Sequence, residues 1–337
     1  MNYYVVCPYG LITGGPDALH QLVYYLNSIN KSASIVYDGI NERNKEIPGP
    51  YKCYLNNYKL LQDVEDNKDN TIIFPEIYGD YYTKKFKKAT VYIWWVSVDN
   101  YKSKVSLLHK IYLGSTFFVR LFKWMLKKEN LKDKIVNFKY NLFFKIKFNQ
   151  KNLSHLCASY YSYSYVSKKA KNKCKLCIEP ISKIFLDNEN ILRKRTDIVI
   201  YNPRKSKKWV EILKKNAADI KFVPLTNLSQ GELIEIYQTA KVYIDFGPFP
   251  GAERMPKEAV VNGCLIITGR FGASNYYGDV PIYDEYKFKV SKKLINNIIA
   301  KIRFCLANYD SIIDDFKDYR ETVNNLEKNF INSIKNI

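Results

Sequence analysis

The sequence predicts an α/β protein made of two doubly wound lobes, and three observations carry that reading. At 337 residues the chain exceeds one ordinary compact domain and suits two of roughly 100–200 residues each. A hydrophobic fraction of 47% and an aromatic fraction of 15% supply enough apolar surface for real cores, which excludes wholesale disorder. Finally, β-prone runs alternate with helical periodicity twice, once in each half of the chain.

The first alternation opens with the β-prone run Tyr3–Cys7 and a loop holding Gly10, Gly14, Gly15 and Pro16. Ala18, Leu19, Leu22, Val23 and Leu26 then share one helical face. Ser34–Tyr37, Asn70–Glu76 and Val91–Val96 read as strands, the last a continuous apolar run of the kind buried on both faces of a parallel sheet. A second alternation starts with the strand Asp197–Tyr201 and a helix from about Lys207 to Asn216. It continues through strand Ile220–Pro224, helix Leu233–Thr239, strand Val242–Asp245, a short helix over Lys257–Asn262 opening at about Pro256, and strand Leu265–Thr268. Helical periodicity returns over Ser291–Cys305 and again towards Ile337. The expected division is a first lobe over 1–165, a second over 166–310, and a C-terminal helix over 311–337 that is a candidate to return to the first lobe.

A formal charge of +20 and a pI near 9.4 call for an anionic partner: nucleic acid, anionic lipid or a phosphate-bearing substrate. Compositional drift towards Lys, Asn, Ile and Tyr is the plainer source of part of that excess. The segment from Tyr101 to about Lys151 concentrates it, with thirteen Lys or Arg against Glu129 and Asp133, a net of +11, interleaved with Phe117, Phe118, Leu121, Phe122, Trp124, Met125, Phe143 and Phe144. Bases mixed with aromatics in this way suit an amphipathic helix lying on a membrane surface, and equally a helical insertion whose apolar stripe packs on the first lobe. No run reaches the ~18 apolar residues of a spanning helix. The first residues lack the basic start and apolar core of a signal peptide, so the expected location is the cytoplasm. Seven irregularly spaced cysteines argue against a disulfide framework, and Cys174-Lys175-Leu176-Cys177 has no second pair or nearby histidine to complete a metal site.

The most informative stretch runs from Asp245 through Phe246-Gly247-Pro248-Phe249-Pro250-Gly251-Ala252 to Glu253-Arg254-Met255-Pro256-Lys257-Glu258-Ala259. A strand ends, a Gly/Pro loop containing Gly251 lets a ligand approach the backbone, and a helix N-terminus offers free amides to an anion. Arg254 adds a fixed cation suited to a diphosphate, and Glu258, one turn into the helix, is placed to accept hydrogen bonds from ribose hydroxyls. The alternative is a helix surface with ordinary charges after a tight turn.

This string, followed by Asn262-Gly263-Cys264-Leu265-Ile266-Ile267-Thr268, resembles the donor-binding segment of GT-B glycosyltransferases. The resemblance implies two Rossmann-like lobes facing a central cleft, a nucleotide-sugar donor with a UDP-sugar preferred, no metal and no further cofactor, and Glu258 holding the donor ribose. Glu253 precedes Glu258 by five positions, where the large retaining families space their paired glutamates by eight, so the stereochemistry stays open. Arg204, Lys205 and Lys208 follow the strand ending at Tyr201 and fall where such enzymes carry cations for the donor pyrophosphate. Gly14 and Gly15 resemble the glycine loop after the first strand. His20 is a candidate base or a packing histidine. If the reaction inverts, Asp99, then Glu76 and Asp17, are the carboxylates available to deprotonate an acceptor.

The implied activity is transfer of a sugar to a glycan or lipid-linked glycan acceptor of lipopolysaccharide, capsule or O-antigen type. The enzyme would act at the inner face of the cytoplasmic membrane, with peripheral contact to its anionic surface and no nucleic-acid partner. Two other classes stay open: a nucleic-acid-binding protein, supported by charge alone, and a catalytically silent partner subunit of the same fold.

Overall fold

The structure is a computed structural model describing residues 1–40, 42, 44–126, 135, 138, 141, 142, 144–186 and 194–337. The chain forms two compact units, residues 1–158 with 162–175 and residues 159–161 with 176–337.

In the first unit the strands are β1 (Asn2–Pro8), β2 (Ser32–Asp38), β3 (Lys59–Leu60), β4 (Asn70–Pro75), β5 (Thr90–Trp95), β6 (Leu153–Cys157) and β7 (Cys174–Leu176), in sheet order β3-β2-β1-β4-β5-β6-β7. The pairings from β3 through β6 are parallel. Val5, Ile72, Ile73, Ile93, Trp94 and Trp95 are fully enclosed, as strands covered on both faces require. The apolar face expected for the helix Gly14–Ser28 is buried at Ala18, Leu19, Leu22, Val23 and Leu26. The chain runs outward from β1 to β2 and β3, then returns to the other side of β1 with β4, so the order reverses between β1 and β4.

The second unit holds β8 (Thr196–Tyr201), β9 (Lys221–Pro224), β10 (Ala240–Asp245), β11 (Leu265–Gly269) and β12 (Lys287–Phe288) in order β12-β11-β10-β8-β9, every pairing parallel. Here the reversal falls between β8 and β10. Val199, Ile200, Val242, Tyr243, Ile244, Leu265, Ile266 and Ile267 form the centre of its core. That core also takes Phe316, Tyr319, Val323 and Leu326 from the helices after 309, so the last helices belong to the second unit. In this division residues 166–175 group with the first unit, and 159–161 and 311–337 with the second.

Two helices start earlier than the sequence suggests. Pro203–Asn216 begins directly after Asn202, whose side chain accepts the Arg204 N–H at 3.0 Å, with Pro203 in the first turn where its missing N–H costs nothing. Arg254–Val261 begins after Glu253, and Pro256 lies inside its first turn. The basic segment forms helices Val98–Val105, Leu107–Ser115 and Phe117–Leu126. Lys127, Lys128, Glu129, Asp133 and Phe143 lie outside the described residues.

Candidate functional site

Open parallel sheets bind ligands beyond the carboxyl ends of their strands where the strand order reverses. In the second unit that point lies between β8 and β10, and the two segments singled out from sequence both leave the sheet there. The helix carrying Arg204, Lys205 and Lys208 follows β8, and the Gly/Pro loop ending at Glu253 follows β10.

The structure joins them through Lys205 and Glu253, whose side chains form an ion pair, and Lys205 Nζ also donates to the Pro248 carbonyl at 3.3 Å. Burial pushes the Glu253 carboxyl up, and the Lys205 ammonium opposes that shift. A Cβ on Gly247 would stand 2.4 Å from Lys205 Cβ, so the glycine is what lets the loop lie against the helix start. Asp245 anchors the loop from beneath. Its carboxylate accepts from Ser206 Oγ at 3.1 Å, Gly247 N–H at 2.9 Å and the Tyr243 hydroxyl at 3.3 Å, and Ser206 Oγ in turn accepts the Phe246 N–H at 2.9 Å. Burial raises the Asp245 pKa, against the pull of Lys205.

Arg204 and Lys208 are exposed, Arg254 is half-buried at the helix start, and Gly251 is buried in the loop. Glu258 sits one turn further, 7% exposed, with a carboxylate oxygen accepting from the enclosed Tyr237 hydroxyl at 3.4 Å. The second unit thus gathers Lys205, Gly251, Glu253, Arg254 and Glu258 on one loop–helix junction and the helix facing it.

Arg195, Ser206, Tyr237 and Tyr243 support this junction and were not singled out from sequence, and Asp245, where the informative stretch begins, had been given no role. Arg195 stitches the ends of two helices, donating to the Tyr237, Ala240 and Asn262 carbonyls at 2.7, 2.9 and 2.6 Å. A lone Arg before a strand carries no sequence signal, whereas an Asp closing an apolar strand before a Gly/Pro loop does. Beside the junction, Lys257 is 4% exposed and faces Glu179 and Asp279; burial lowers its pKa and the two carboxylates oppose that shift. Asp279 accepts the backbone N–H groups of Tyr160 and Tyr161 at 2.7 and 2.9 Å, and burial pushes it up to about 6. A cleft of about 680 Å³ runs past this cluster, lined among others by Tyr160, Ala252, Lys257, Asp279 and Tyr319.

In the first unit the reversal between β1 and β4 places Gly14, Gly15 and Glu76 at the corresponding edge, the two glycines forming the first turn of the helix Gly14–Ser28 and not the loop expected from sequence. A Cβ on Gly14 or Gly15 meets nothing within 4 Å, so the turn borders open space. Asp17 accepts from Gln21 Nε2 at 3.0 Å. Asp99, with a side chain 40% exposed, lies in the first turn of Val98–Val105, 3.9 Å from Lys102 Nζ. His20 is fully enclosed: Nδ1 lies 2.6 Å from the Pro16 carbonyl, Nε2 lies 2.8 Å from the Tyr37 hydroxyl, and the ring stacks on Tyr51 at 4.0 Å. Burial lowers its pKa to about 4, so the ring is neutral, with both nitrogens engaged and neither left for a substrate.

Glu76 is 1% exposed, and its Oε2 accepts the Val96 N–H at 3.0 Å, tying the turn after β4 to the end of β5. Burial raises its pKa from 4.5 to about 7, opposed by its backbone hydrogen bonds and by Lys104. Because the folded-state value lies above the unfolded one, the stability linked to this proton is complete below pH about 4.5 and is lost as pH rises through about 7. Glu76→Gln, which keeps the acceptor, should remove that loss and gain roughly 3 kcal/mol over wild type at pH 8 relative to the difference at pH 4.5. Parallel urea-unfolding stabilities for the two proteins across this range would refute the assignment.

Two parallel sheets, each reversing its order beneath glycine-bearing loops, define a two-unit α/β protein, and its fold is the GT-B fold. The sucrose-phosphate synthase of Thermosynechococcus elongatus superposes with a TM-score of 0.57 at 12% identity over 99% of this chain and 97% of that one. The HepE protein of Anabaena, solved with UDP-glucose, gives 0.57 at 9% identity over the whole of both chains. The pneumococcal O-GlcNAc transferase GtfA, solved with UDP and GlcNAc, gives 0.56 at 10% identity over 100% and 98%. No protein-family model and no curated protein sequence matches the chain.

Proposed function

We propose that the protein is a glycosyltransferase that moves a sugar from a nucleoside-diphosphate donor, a UDP-sugar by preference, to a glycan or lipid-linked glycan of the cell surface, at the inner face of the cytoplasmic membrane. The observation that carries this reading is the meeting of Lys205 with the Glu253 loop at the strand-order reversal of the second unit. It sets a cation beside a helix start that bears Arg254, one turn before Glu258, an arrangement suited to a diphosphate with its ribose. Structures of this fold solved with UDP-glucose and with UDP support the same donor class.

Chemically, cleavage of the sugar–diphosphate bond places about one further negative charge on the leaving group. In this reading Lys205 and Arg254 stabilise that charge, with Arg204 and Lys208 at the margin, and Glu258 grips the ribose. The Gly14–Gly15 turn allows close approach of substrate to the backbone. Asp99 serves as base if the configuration inverts, with Asp17 gripping acceptor hydroxyls. Glu76 has a pKa suited to proton transfer near neutrality, but its carboxylate is enclosed, which favours the more accessible Asp99 for the acceptor.

Thermal unfolding in the presence of UDP, GDP, CMP or ADP, on wild type and Glu258→Gln, tests the donor assignment. One nucleotide at about 100 times its dissociation constant should stabilise the wild type by ~2.7 kcal/mol and the variant markedly less. Failure of every nucleotide to stabilise the wild type would sink the reading; equal stabilisation of both proteins would remove Glu258 from the site and leave the donor class standing.

A further inference from the structure

Helices Leu107–Ser115 and Phe117–Leu126 leave several large apolar side chains exposed, although Leu113 is buried and Phe117, Leu121 and Trp124 are half-buried. An amphipathic helix of a globular protein normally turns its i, i+4, i+7 stripe inward. Here Phe117, Leu121 and Trp124 make one such stripe and are half-buried, while a second, Phe118, Phe122 and Met125, is 77%, 63% and 57% exposed. On the preceding helix Leu107, Leu108 and Ile111 are 73%, 81% and 58% exposed, while Leu113 is buried and fixes that helix to the unit. Isolated exposed apolar residues are ordinary, but six large ones on two consecutive helices call for a partner. The charge says which. From Ser106 to Leu126 the chain holds Lys110, Arg120 and Lys123 and no acidic residue, within a protein of formal charge +20. No helix among the described residues is long and apolar enough to cross a membrane.

We propose that this face seats the protein on an anionic bilayer, with Leu107, Leu108, Ile111, Phe118, Phe122 and Met125 entering the boundary between headgroups and acyl chains and Lys110 and Lys123 meeting lipid phosphate. The apolar stripe provides the insertion, and the cations select the anionic surface. This seat is independent of the donor assignment and holds whatever sugar is transferred. The sequence leaves the segment open between membrane and lobe, and the exposure divides it: Leu113 and Phe144 are buried, while the six side chains proposed to enter the bilayer are exposed.

Co-sedimentation of the full chain with vesicles of phosphatidylglycerol and phosphatidylcholine, compared with phosphatidylcholine alone, tests this without any assay of transfer. Wild type should pellet with the anionic vesicles and be released by salt. Leu108→Ser/Phe118→Ser/Phe122→Ser changes only exposed side chains, so its unfolding temperature should match wild type while its vesicle affinity falls at least about ten-fold. Lys110→Gln/Lys123→Gln should lose about ten-fold on anionic vesicles and little on neutral ones. The proposal is overturned if wild type ignores both vesicles, if the apolar variant binds as wild type does, or if wild type is instead a dimer that the apolar variant dissociates. In that last case the face would be an interface between copies of the chain.

Discussion

Gly263→Ala should destabilise the second unit by about 3–5 kcal/mol, a fall of roughly 10 °C in its unfolding temperature. Gly263 follows the helix Arg254–Val261 with φ at +88°, a left-handed conformation that strains any residue with a Cβ. Space is the second obstacle, because a Cβ there would lie 1.9 Å from Arg195 Nη2. The end of an arginine usually moves aside cheaply. This one is held by the Tyr237, Ala240 and Asn262 carbonyls, so moving it abandons charged hydrogen bonds of roughly 1.5–3 kcal/mol each and leaves carbonyls unsatisfied. Urea unfolding followed in the second unit's transition measures the effect, and a loss below about 1 kcal/mol would mean that Arg195 is not the staple described. Since the same turn ends the helix that carries Glu258, nucleotide-induced stabilisation should weaken along with the fold.

Lys205→Ala should reduce the rate of sugar transfer by about 10²–10³-fold, with most of the loss in kcat, because a preorganised cation acts most strongly on charge that develops in the transition state. A structural explanation competes, since the substitution also leaves Glu253 without its ion-pair partner on a carboxyl already raised by burial. The double variant Lys205→Ala/Glu253→Gln separates the two. It removes the orphaned charge and should recover the stability lost in the single variant, yet transfer should stay low. Recovery of activity in the double variant would make Lys205 a structural counter-ion and remove it from the chemistry.

Much of the fold is legible in the amino-acid sequence. Val91–Val96, Val242–Asp245 and Leu265–Thr268 are apolar runs because strands covered on both faces have no solvent side to mark with polar residues, and all are core strands. Strands β3, β6, β7 and β12 carry no such signal. β3 and β12 are two-residue bridges, β7 is three residues cut from the Cys-Lys-Leu-Cys string, and β6 hides a buried His155 among its apolar neighbours. The helix Arg254–Val261 starts two residues ahead of Pro256, the position where the sequence marks its opening, because proline is tolerated anywhere in a first turn.

The residues of the candidate junction are also legible, as types suited to an anion at a strand end. Their arrangement is not. That Lys205 meets Glu253 depends on β10 pairing with β8, a neighbour distant in sequence, and strand order leaves no periodic trace in the chain. His20 and Phe118 make the same point from opposite sides. Periodicity names the residues that share a helical face, but which way the face turns is decided by what packs beside it. His20 is drawn inside, where Tyr37 and Tyr51 enclose it, and the Phe118 stripe is left facing out. Sequence alone therefore determined the α/β class, the two alternations and the chemistry available at each strand end, since these follow from local pattern and residue type. The tertiary structure alone decided which of those groups meet and which are hidden, because strand order and burial are set by contacts between segments far apart in the chain.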